Sequence, residues 1–394
     1  GGGGGWWAPA RRGGVTAVAS GADVVIVGGG VIGCSIAYFL AQAGARVTLV
    51  ERSQLAAGAS GVAAGMLAPQ VEAPFADAFF ELALLGRAEH AGLAERLLDE
   101  VGLDVEYRAT GILRVARTEA ERTDLQRQQR WQSARGLAAE WVDSDDLWRR
   151  EPLLSGVAGR LLAGGMWLPD EAQVRSPRLV QALATAAANQ GARLLEGTWA
   201  VGLETIGQRA TGVVTPTGVL RGDTIVLAAG VWSPALANSA GFHVPVTPVK
   251  GQVMSLRALG RTPRHVIWSG ECYLVPRPDG EILLGATEEE GNYDPRPTLA
   301  GLNRLTEAAL EIVPAAGSFV VDGAWAGLRP AAPDRHPIVG WAPGVSSLMV
   351  ATAHYRNGVL LGPLTGRRVA DQILAGAPAA EFAPFGPQRF AVPD

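Results

Sequence analysis

Apolar and polar residues follow one another near the start of the chain in an order that predicts a βαβ unit. Residues 23–27 are a short apolar run that leads into glycines, which is typical of a buried parallel strand. Residues 32–43 have helical periodicity and end at Gly44, and residues 46–50 are a second apolar run. Strand, glycine turn, helix and strand in this order indicate one βαβ unit.

The rest of the chain alternates between helical and hairpin-rich stretches. Further helices are predicted at residues 73–102, 119–135, 176–190 and 358–374. Further strands are predicted within residues 107–115, 193–227, 251–256 and 272–286. Residues 224–228, where the stretch that starts at residue 193 ends, have the pattern of a strand that returns to the parallel sheet. This alternation predicts two domains threaded through each other rather than two domains joined by a linker.

Composition limits the classes of protein that fit. Hydrophobic residues make up 48% and charged residues 18% of 394 positions, which favours a large core over disorder. A net charge of −4 without a long basic run argues against nucleic-acid binding. The two cysteines, Cys34 and Cys272, provide neither a disulfide framework nor metal-ligand spacing, and they fit a reducing, cytoplasmic compartment. No apolar run reaches the ~18 residues of a membrane span.

The first 21 residues begin with five glycines and contain Arg11-Arg12. A disordered tail is the favoured interpretation, and a twin-arginine export signal is the alternative. The export signal is disfavoured because the apolar stretch that follows runs directly into the first predicted strand.

The turn after the first predicted strand, Gly28-Gly-Gly30-Val-Ile-Gly33, matches G-x-G-x-x-G. This pattern is weak alone, but its place between a buried strand and a helix, with Glu51 ending the next strand, predicts a dinucleotide site. Gly28 would permit the tight turn, Gly30 would let the backbone approach a pyrophosphate, and Gly33 would let the helix pack closely. Glu51 would bind a ribose diol and repel a 2′-phosphate, which argues against NADP. NAD and FAD share the pattern, so it leaves that choice open.

Further motifs, in matching order, resemble the glycine oxidase branch of the D-amino acid oxidase and sarcosine oxidase superfamily. The motifs are residues 59–69, 169–174, 226–233, 272–277, 325–340 and 354–361. The resemblance extends from residue 22 to about residue 374, and it implies FAD as cofactor. Some relatives tether their flavin through a cysteine near the motif matched here by residues 327–330. Neither cysteine of this chain lies there, so we expect non-covalent FAD.

The resemblance also implies an α/β fold class. A Rossmann-like FAD-binding domain with a parallel sheet would be interleaved with an α+β substrate domain built on an antiparallel sheet. The FAD-binding domain would comprise residues 22–85, 166–242 and 322–376. The substrate domain would comprise residues 86–165 and 243–321, with tails at 1–21 and 377–394.

The cofactor contacts carried over by resemblance come from several separate stretches. Residue 60 and residues 63–67 would line the flavin and its pyrophosphate, residue 200 would lie at the adenine, and residues 355–360 would contact the far edge of the isoalloxazine. A helix that begins there would favour the negative charge of a reduced flavin. The full set is Gly28, Gly30, Val31, Ile32, Gly33, Glu51, Arg52, Ser60, Ala63, Ala64, Gly65, Met66, Leu67, Ala200, Ala229, Gly230, Trp232, Tyr355, Arg356, Asn357, Gly358, Val359 and Leu360.

The predicted substrate site begins with Arg329, an arginine within an otherwise apolar run. Such an arginine is either a buried ion pair or a carboxylate clamp, since its planar fork makes two parallel bonds to a carboxylate. The resemblance favours the clamp, assigns the hydroxyl of Tyr273 as a second carboxylate ligand, and places Arg356 and Met66 nearby. His354 is interpreted as structural.

Glu288 departs from the family pattern, because that position is usually apolar and lines the pocket near the substrate amine. A glutamate there would bind an ammonium group or narrow the pocket, or it would point into solvent as charge runs usually do. We expect Glu288 to change substrate preference.

The implied reaction is hydride transfer from the α-carbon of glycine, sarcosine or a small D-amino acid to flavin, with no catalytic acid–base pair. Ammonia would be released, and dioxygen would be reduced to hydrogen peroxide. The family also implies a homotetramer and a thiazole synthase partner in thiamine synthesis. Four alternatives stay open: a D-amino acid dehydrogenase that reduces a quinone, a sarcosine oxidase-like enzyme, an idle flavoprotein that binds a partner, and an NAD-linked dehydrogenase.

Overall fold

A computed structural model of the chain describes residues 22–154, 162–376 and 379–391. The predicted tail at residues 1–21 and part of the predicted tail at 377–394 therefore lie outside the described residues. Within those ranges, no helix has the length and apolar character needed to cross a membrane.

The described residues form ten α-helices and nineteen strands. The helices are α1 (Val31–Gln42), α2 (Ala59–Val62), α3 (Pro69–Glu72), α4 (Ala78–Val101), α5 (Glu119–Ala134), α6 (Ser144–Arg150), α7 (Ser176–Asn189), α8 (Ser233–Ser239), α9 (Leu299–Ile312) and α10 (Gly358–Ala375). The strands are β1 (Ala22–Val27), β2 (Val47–Val50), β3 (Met66–Leu67), β4 (Ile112–Ala116), β5 (Glu140–Val142), β6 (Gly164–Leu168), β7 (Ala172–Gln173), β8 (Arg193–Leu195), β9 (Gly202–Ile206), β10 (Arg209–Thr215), β11 (Gly218–Leu227), β12 (Thr247–Arg257), β13 (Val266–Trp268), β14 (Tyr273–Pro276), β15 (Glu281–Gly285), β16 (Glu289–Glu290), β17 (Val320–Ala331), β18 (Ile338–Trp341) and β19 (Leu348–Thr352).

The first sheet is the mainly parallel one that the βαβ unit predicts, with β18 antiparallel at one edge. Its order is β18-β19-β11-β1-β2-β8, and β10 and β9 extend it by antiparallel pairing from β11. β1 pairs in parallel with both β11 and β2, so the predicted return of the chain to this sheet is confirmed. α1 is buried between this sheet and α10. A Cβ on Gly366 of α10 would lie 2.6 Å from Ser35 of α1, so these helices need a glycine at their contact.

The second sheet is mainly antiparallel and has the order β16-β12-β15-β14-β13-β4-β6-β5, with β17 paired to β12. β12 and β17 run together along eleven paired positions, from Thr247 opposite Ala331 to Arg257 opposite Val320. α9 packs its apolar face, with Leu305, Ala309 and Ile312, against this sheet. A parallel sheet with helices and a separate antiparallel sheet confirm the predicted fold class.

Most predicted elements are present, with shifted ends. The helix predicted from residue 73 begins at Ala78, because the side chain of Asp77 accepts a hydrogen bond from the N–H of Phe80 and caps it. The strand predicted from residue 107 begins only at Ile112. α9 was not predicted. The domain boundaries stay predictions, although β6 and β17, which contain the predicted boundaries at 166 and 322, both pair within the second sheet.

Candidate active site

One large cavity connects the two sheets. It has a volume of about 1170 Å³ and is lined both by the glycine-rich turn after β1 and by strands β12, β14 and β17. This volume is above the range of roughly 300–1,000 Å³ that a drug-sized ligand needs, so a dinucleotide and a small substrate have room together. The cavity therefore has a nucleotide end at the first sheet and a second end at the antiparallel sheet.

The glycines at the nucleotide end have the roles that their spacing predicts. A Cβ on Gly28 would lie 2.3 Å from the carbonyl oxygen of Ala228, and a Cβ on Gly33 would lie 1.9 Å from that of Gly28. A Cβ on Gly30 would meet only the hydroxyl of Ser60, at 3.1 Å, and would otherwise project into the cavity. Two glycines thus permit close packing, and the third leaves space for a ligand.

The N-terminus of α1 is suited to an anion. Its N-cap is Gly30, which has no side-chain cap, and its first turn has no acidic residue. The N–H of Val31 donates to the hydroxyl of Ser60 at 2.9 Å, which ties the helix to α2. Because the partial positive charge of a helix N-terminus attracts phosphate, this turn fits a pyrophosphate.

Glu51 lies at the end of β2 on the cavity wall. Its carboxylate accepts hydrogen bonds from the N–H groups of Gly29 and Ser53, both at 2.9 Å. The remaining lone pairs of the carboxylate are available to a ribose diol. Beside it, the guanidinium of Arg52 lies 3.7 Å from the ring centroid of Trp232, and Ala200 also lines this part of the cavity.

The stretch from Ser60 to Met66 crosses the middle of the cavity. A buried arginine from the hairpin of the second sheet, Arg277, donates to the carbonyl oxygens of Ala64 and Val174. A Cβ on Gly65, which has φ +73°, would lie 1.9 Å from the same Val174 carbonyl oxygen. These contacts therefore hold this stretch in place against the hairpin of the second sheet and the backbone at Val174.

A single helical turn, Tyr355–Asn357, followed by α10 forms the opposite wall. His354 precedes this turn, and its Nε2 lies 3.0 Å from the hydroxyl of Thr365. Burial lowers the pKa of His354 to about 3, so the ring is neutral. A buried neutral ring bonded to α10 agrees with a structural role.

Tyr273 and Arg329 lie on one face of the second sheet. Tyr273 pairs with Gly285, and Gly285 pairs with Val253 of β12. Val249, four residues before Val253, pairs with Arg329. Because alternate residues of a strand point to the same side, this register places both side chains toward the cavity.

Glycines beneath these two side chains give them room to lie across the sheet. A Cβ on Gly285 would lie 2.5 Å from the hydroxyl oxygen of Tyr273. A Cβ on Gly251 would lie 2.2 Å from the guanidinium of Arg329. Any larger residue at either glycine would therefore displace a group that lines the cavity.

Arg329 is available to an anionic ligand. Its Nη1 donates to the carbonyl oxygen of Thr287 at 3.0 Å. Within the described part of the chain, no ion pair joins it to a carboxylate, in contrast to Arg356. Burial raises the pKa of the Tyr273 hydroxyl, which therefore stays protonated as a donor. A guanidinium and a phenol on one wall of the cavity match the needs of a carboxylate.

Arg356 is held by Glu72, a cavity residue that the sequence did not indicate. The guanidinium lies 2.8 Å from Glu72 and 5.6 Å from the ring centroid of Trp268. Nearby carboxylates, Glu72 first, raise the pKa of Arg356 against the opposing effect of burial. The second of the two predicted cationic groups is therefore already paired within the protein.

Glu288 lines the cavity, and its carboxylate is paired with other side chains instead of being surrounded only by solvent. Its side chain is 36% exposed. It accepts hydrogen bonds from the hydroxyl of Tyr355 and, at 2.5 Å, from Arg335. Despite the opposing effect of partial burial, these two hydrogen bonds and the nearby Arg356 lower the pKa of Glu288, so the carboxylate is ionised.

The cavity brings together nearly all the predicted site residues. Three predicted cofactor residues do not line it: Gly33, Leu67 and Leu360. Gly33 packs α1 against the turn, as its spacing predicts. Leu67 and Leu360 point into the core, because β3 directs Met66 to the cavity and α10 directs Val359 there. Glu72 and Trp268 are lining residues that sequence reasoning missed.

We expect Tyr273→Phe to lower kcat/KM for an amino acid substrate by about 10- to 100-fold, because a hydrogen bond to a charged group contributes roughly 1.5–3 kcal/mol. Cofactor content should not change. Tyr293→Phe is the matched control, since Tyr293 is 59% exposed and outside the cavity lining. Steady-state kinetics of the two variants measure the difference, and a Tyr273→Phe enzyme within twofold of wild type would contradict the assignment.

Comparison with known proteins agrees with this geometry. Residues 23–372 match the family described as FAD dependent oxidoreductase. A glycine oxidase from Geobacillus kaustophilus is 36% identical over 92% of this chain and 95% of its own length. A crystal structure of glycine oxidase from Geobacillus kaustophilus superposes with a TM-score of 0.89 at 35% identity, covering 94% of this chain and 99% of that one. A bifunctional protein ThiO/ThiG from Synechocystis is 35% identical over 92% of this chain, which spans 53% of that protein.

Proposed function

Because the chain belongs to the FAD dependent oxidoreductase family and its relatives include glycine oxidases, we propose that it oxidises glycine. The product would be an imine that hydrolyses to glyoxylate and ammonia. The cofactor is FAD, and the enzyme is an FAD-dependent amino acid oxidase. One observation carries the choice of substrate class: Arg329, without an ion pair among the described residues, lies on the same cavity wall as the hydroxyl of Tyr273.

The residues of the nucleotide end fit FAD. The N-terminus of α1 and the space left by Gly30 would hold the pyrophosphate, and Glu51 would accept hydrogen bonds from the ribose. The stretch from Ser60 to Met66 and the turn Tyr355–Asn357 would enclose the flavin ring between the nucleotide end and Arg329. When bound, FAD accepts the hydride of the substrate's α-carbon and passes two electrons to an acceptor.

The protein's contribution to the reaction is position and electrostatics. Arg329 would bind the substrate carboxylate through two charge-assisted hydrogen bonds, and Tyr273 would donate a third. Because the α-carbon is bonded to the carboxylate, this anchoring fixes where the α-carbon lies in the cavity, so that its hydrogen faces the cofactor in one orientation. The amine must be neutral for hydride loss, and no side chain of the wall is required as a base. Sarcosine and small D-amino acids have the same carboxylate, so we propose them as further substrates.

We further propose that FAD is bound without a covalent link. Cys34 is fully buried in α1, and burial raises the pKa of its thiol. Cys272 lines the cavity, and burial raises its pKa to about 11. Both thiols therefore stay protonated and are weak nucleophiles. Acid precipitation should leave the yellow colour in solution.

We also propose a place in thiamine synthesis with a thiazole synthase as partner. In two bifunctional ThiO/ThiG relatives this chain spans only 53% and 52% of the protein, so the matched half is joined to a second half. Physical joining of two activities supports the proposal that the imine or its product passes between them.

A product assay under air tests the proposal. The purified protein with glycine should consume dioxygen and release glyoxylate, ammonia and hydrogen peroxide in equal amounts. Glyoxylate formed only when a quinone is added, with no peroxide, would overturn the oxidase assignment in favour of a dehydrogenase. Sarcosine and D-alanine, measured in the same assay, rank the substrate classes.

A further inference from the structure

Just after the end of β15, four charged or polar side chains lie close together: Glu288, Arg335, Tyr355 and Arg356. The carboxylate of Glu288 accepts hydrogen bonds from Tyr355 and Arg335, and it lies 3.8 Å from Arg356. Tyr355 has a positive φ of 50°, a conformation that few non-glycine residues adopt. The surrounding contacts therefore hold its hydroxyl toward Glu288 against a backbone preference.

Glu288 is close to the carboxylate clamp. The carbonyl oxygen of Thr287 accepts a hydrogen bond from Arg329 at 3.0 Å, and Glu288 is the next residue along the chain. Consecutive Cα atoms are about 3.8 Å apart. Because Glu288 adjoins the residue that Arg329 contacts and both side chains line the cavity, a small molecule held by Arg329 shares the cavity with the Glu288 carboxylate.

The charges around Arg329 favour a ligand with only one carboxylate. Arg356 is already paired with Glu72 at 2.8 Å and faces Glu288 at 3.8 Å. Once a ligand carboxylate neutralises Arg329, the lining carboxylates of Glu72 and Glu288 outnumber the lining guanidinium of Arg356. Arg335, which also pairs with Glu288, lies outside the cavity lining, is 47% exposed and is shared with Glu290, so the surroundings are net negative.

Of the other charged lining residues, Glu51 and Arg52 lie at the nucleotide end, and the remaining two do not alter this balance. The side chains of Arg304 and Glu271 are 63% and 64% exposed. Arg304 lies 3.8 Å from Glu289, and Glu271 lies 3.9 Å from Arg117. Water screens such exposed groups strongly, so they contribute little to the field at the clamp.

We propose that Glu288, held by Tyr355 and Arg335, makes the site selective for amino acids with a single carboxylate and rejects ligands that carry a second one. The inference rests on the proposed function for the substrate class, but it concerns binding and is testable without turnover. Glu288 is a specificity-determining residue in this account: its charge opposes a second anion, while neutral or cationic substituents on the amine are accepted.

A matched pair of unreactive acids tests the proposal on the FAD-loaded enzyme. Methoxyacetate has one carboxylate, and oxydiacetate is the same ether chain with a second carboxylate. Their dissociation constants are measured by the change that they cause in the visible absorbance of the flavin. The wild-type enzyme should bind methoxyacetate at least about tenfold more tightly, since like-charge repulsion at this range corresponds to a factor of ten or more.

Glu288→Gln should reduce this preference to about twofold or less, and Glu288→Asp, which keeps the charge, should retain most of it. Glu290→Gln is the control, because Glu290 also pairs with Arg335 but is 71% exposed and outside the cavity lining. Its preference should equal that of wild type. FAD content and thermal unfolding of each variant show that it is folded.

The proposal is overturned if wild type binds both acids equally, if Glu288→Gln leaves the preference unchanged, or if Glu290→Gln alters it as much. Oxidation of glycine is recorded separately on the same samples. An enzyme that discriminates between the two acids but does not oxidise glycine would refute the proposed function and leave this inference standing.

Discussion

Replacing Arg329 by alanine is expected to give a folded, yellow protein whose kcat/KM for glycine is roughly 30- to 5,000-fold lower, which corresponds to about 2–5 kcal/mol, as for removing one partner of a buried charge pair. The loss is large because the neighbouring guanidinium of Arg356 cannot take over the substrate carboxylate: it is already paired with Glu72 and Glu288. Steady-state kinetics together with FAD content measure the effect.

Arg304→Ala is the matched control for this experiment. Arg304 also lines the cavity, but its side chain is 63% exposed and lies 3.8 Å from Glu289. We expect its kcat/KM to stay within about twofold of wild type, in line with the small energies of exposed ion pairs. Equal losses in the two variants, or an Arg329→Ala enzyme within threefold of wild type, would contradict the clamp assignment.

Gly30→Leu is expected to give a folded but colourless protein. The Cβ of the new side chain would meet only the hydroxyl of Ser60, at 3.1 Å, and the rest would fill the space in front of α1. The new side chain would overlap with the bound pyrophosphate, and overpacking of this kind costs about 3 kcal/mol. The affinity for FAD should therefore fall by at least about 100-fold.

The ratio of flavin to protein after purification measures this loss. Thermal unfolding should match that of wild-type protein stripped of FAD, because a ligand that is not bound cannot stabilise the fold. Gly260→Leu is the control, since a Cβ at Gly260 has no neighbour within 4 Å and the residue is exposed. A yellow Gly30→Leu protein with full FAD content would show that the pyrophosphate lies elsewhere.

Local patterns predicted the strand, glycine turn and helix that form the nucleotide end of the cavity. Strand, glycine turn and helix are adjacent in sequence, and their roles depend on contacts within that unit, such as Gly33 with Gly28. Glu51 follows from the same pattern because β2 pairs directly with β1. Resemblance to relatives then chose FAD over NAD, which the local pattern could not do.

The substrate end depends on pairing between distant strands, which periodicity does not encode. Tyr273 and Arg329 reach one wall only through the register of β14, β15, β12 and β17. Resemblance identified both residues, but it did not identify the pairing of Glu72 with Arg356. For Glu288 the charged run suggested solvent as one outcome, and only the structure shows Tyr355 and Arg335 as its partners.

Leu67 and Leu360 show why a motif is less precise than a structure. Both belong to stretches that line the cavity, yet each is almost fully buried in the core. A strand alternates its sides at every residue and a helix turns by about 100° per residue, so neighbours within one motif face different surroundings. Assigning every residue of a motif to cofactor contact therefore also includes residues that pack in the core next to the site.

Flavin absorbance after anaerobic mixing with glycine tests the central claim, that a carboxylate held at Arg329 presents its α-carbon to the cofactor. We predict that the yellow colour is lost with glycine, that it is lost more slowly with glycine deuterated at the α-carbon, and that it persists in Arg329→Ala at the same glycine concentration. A wild-type spectrum that stays unchanged at saturating glycine, or bleaching that is equally fast without Arg329, would contradict the account.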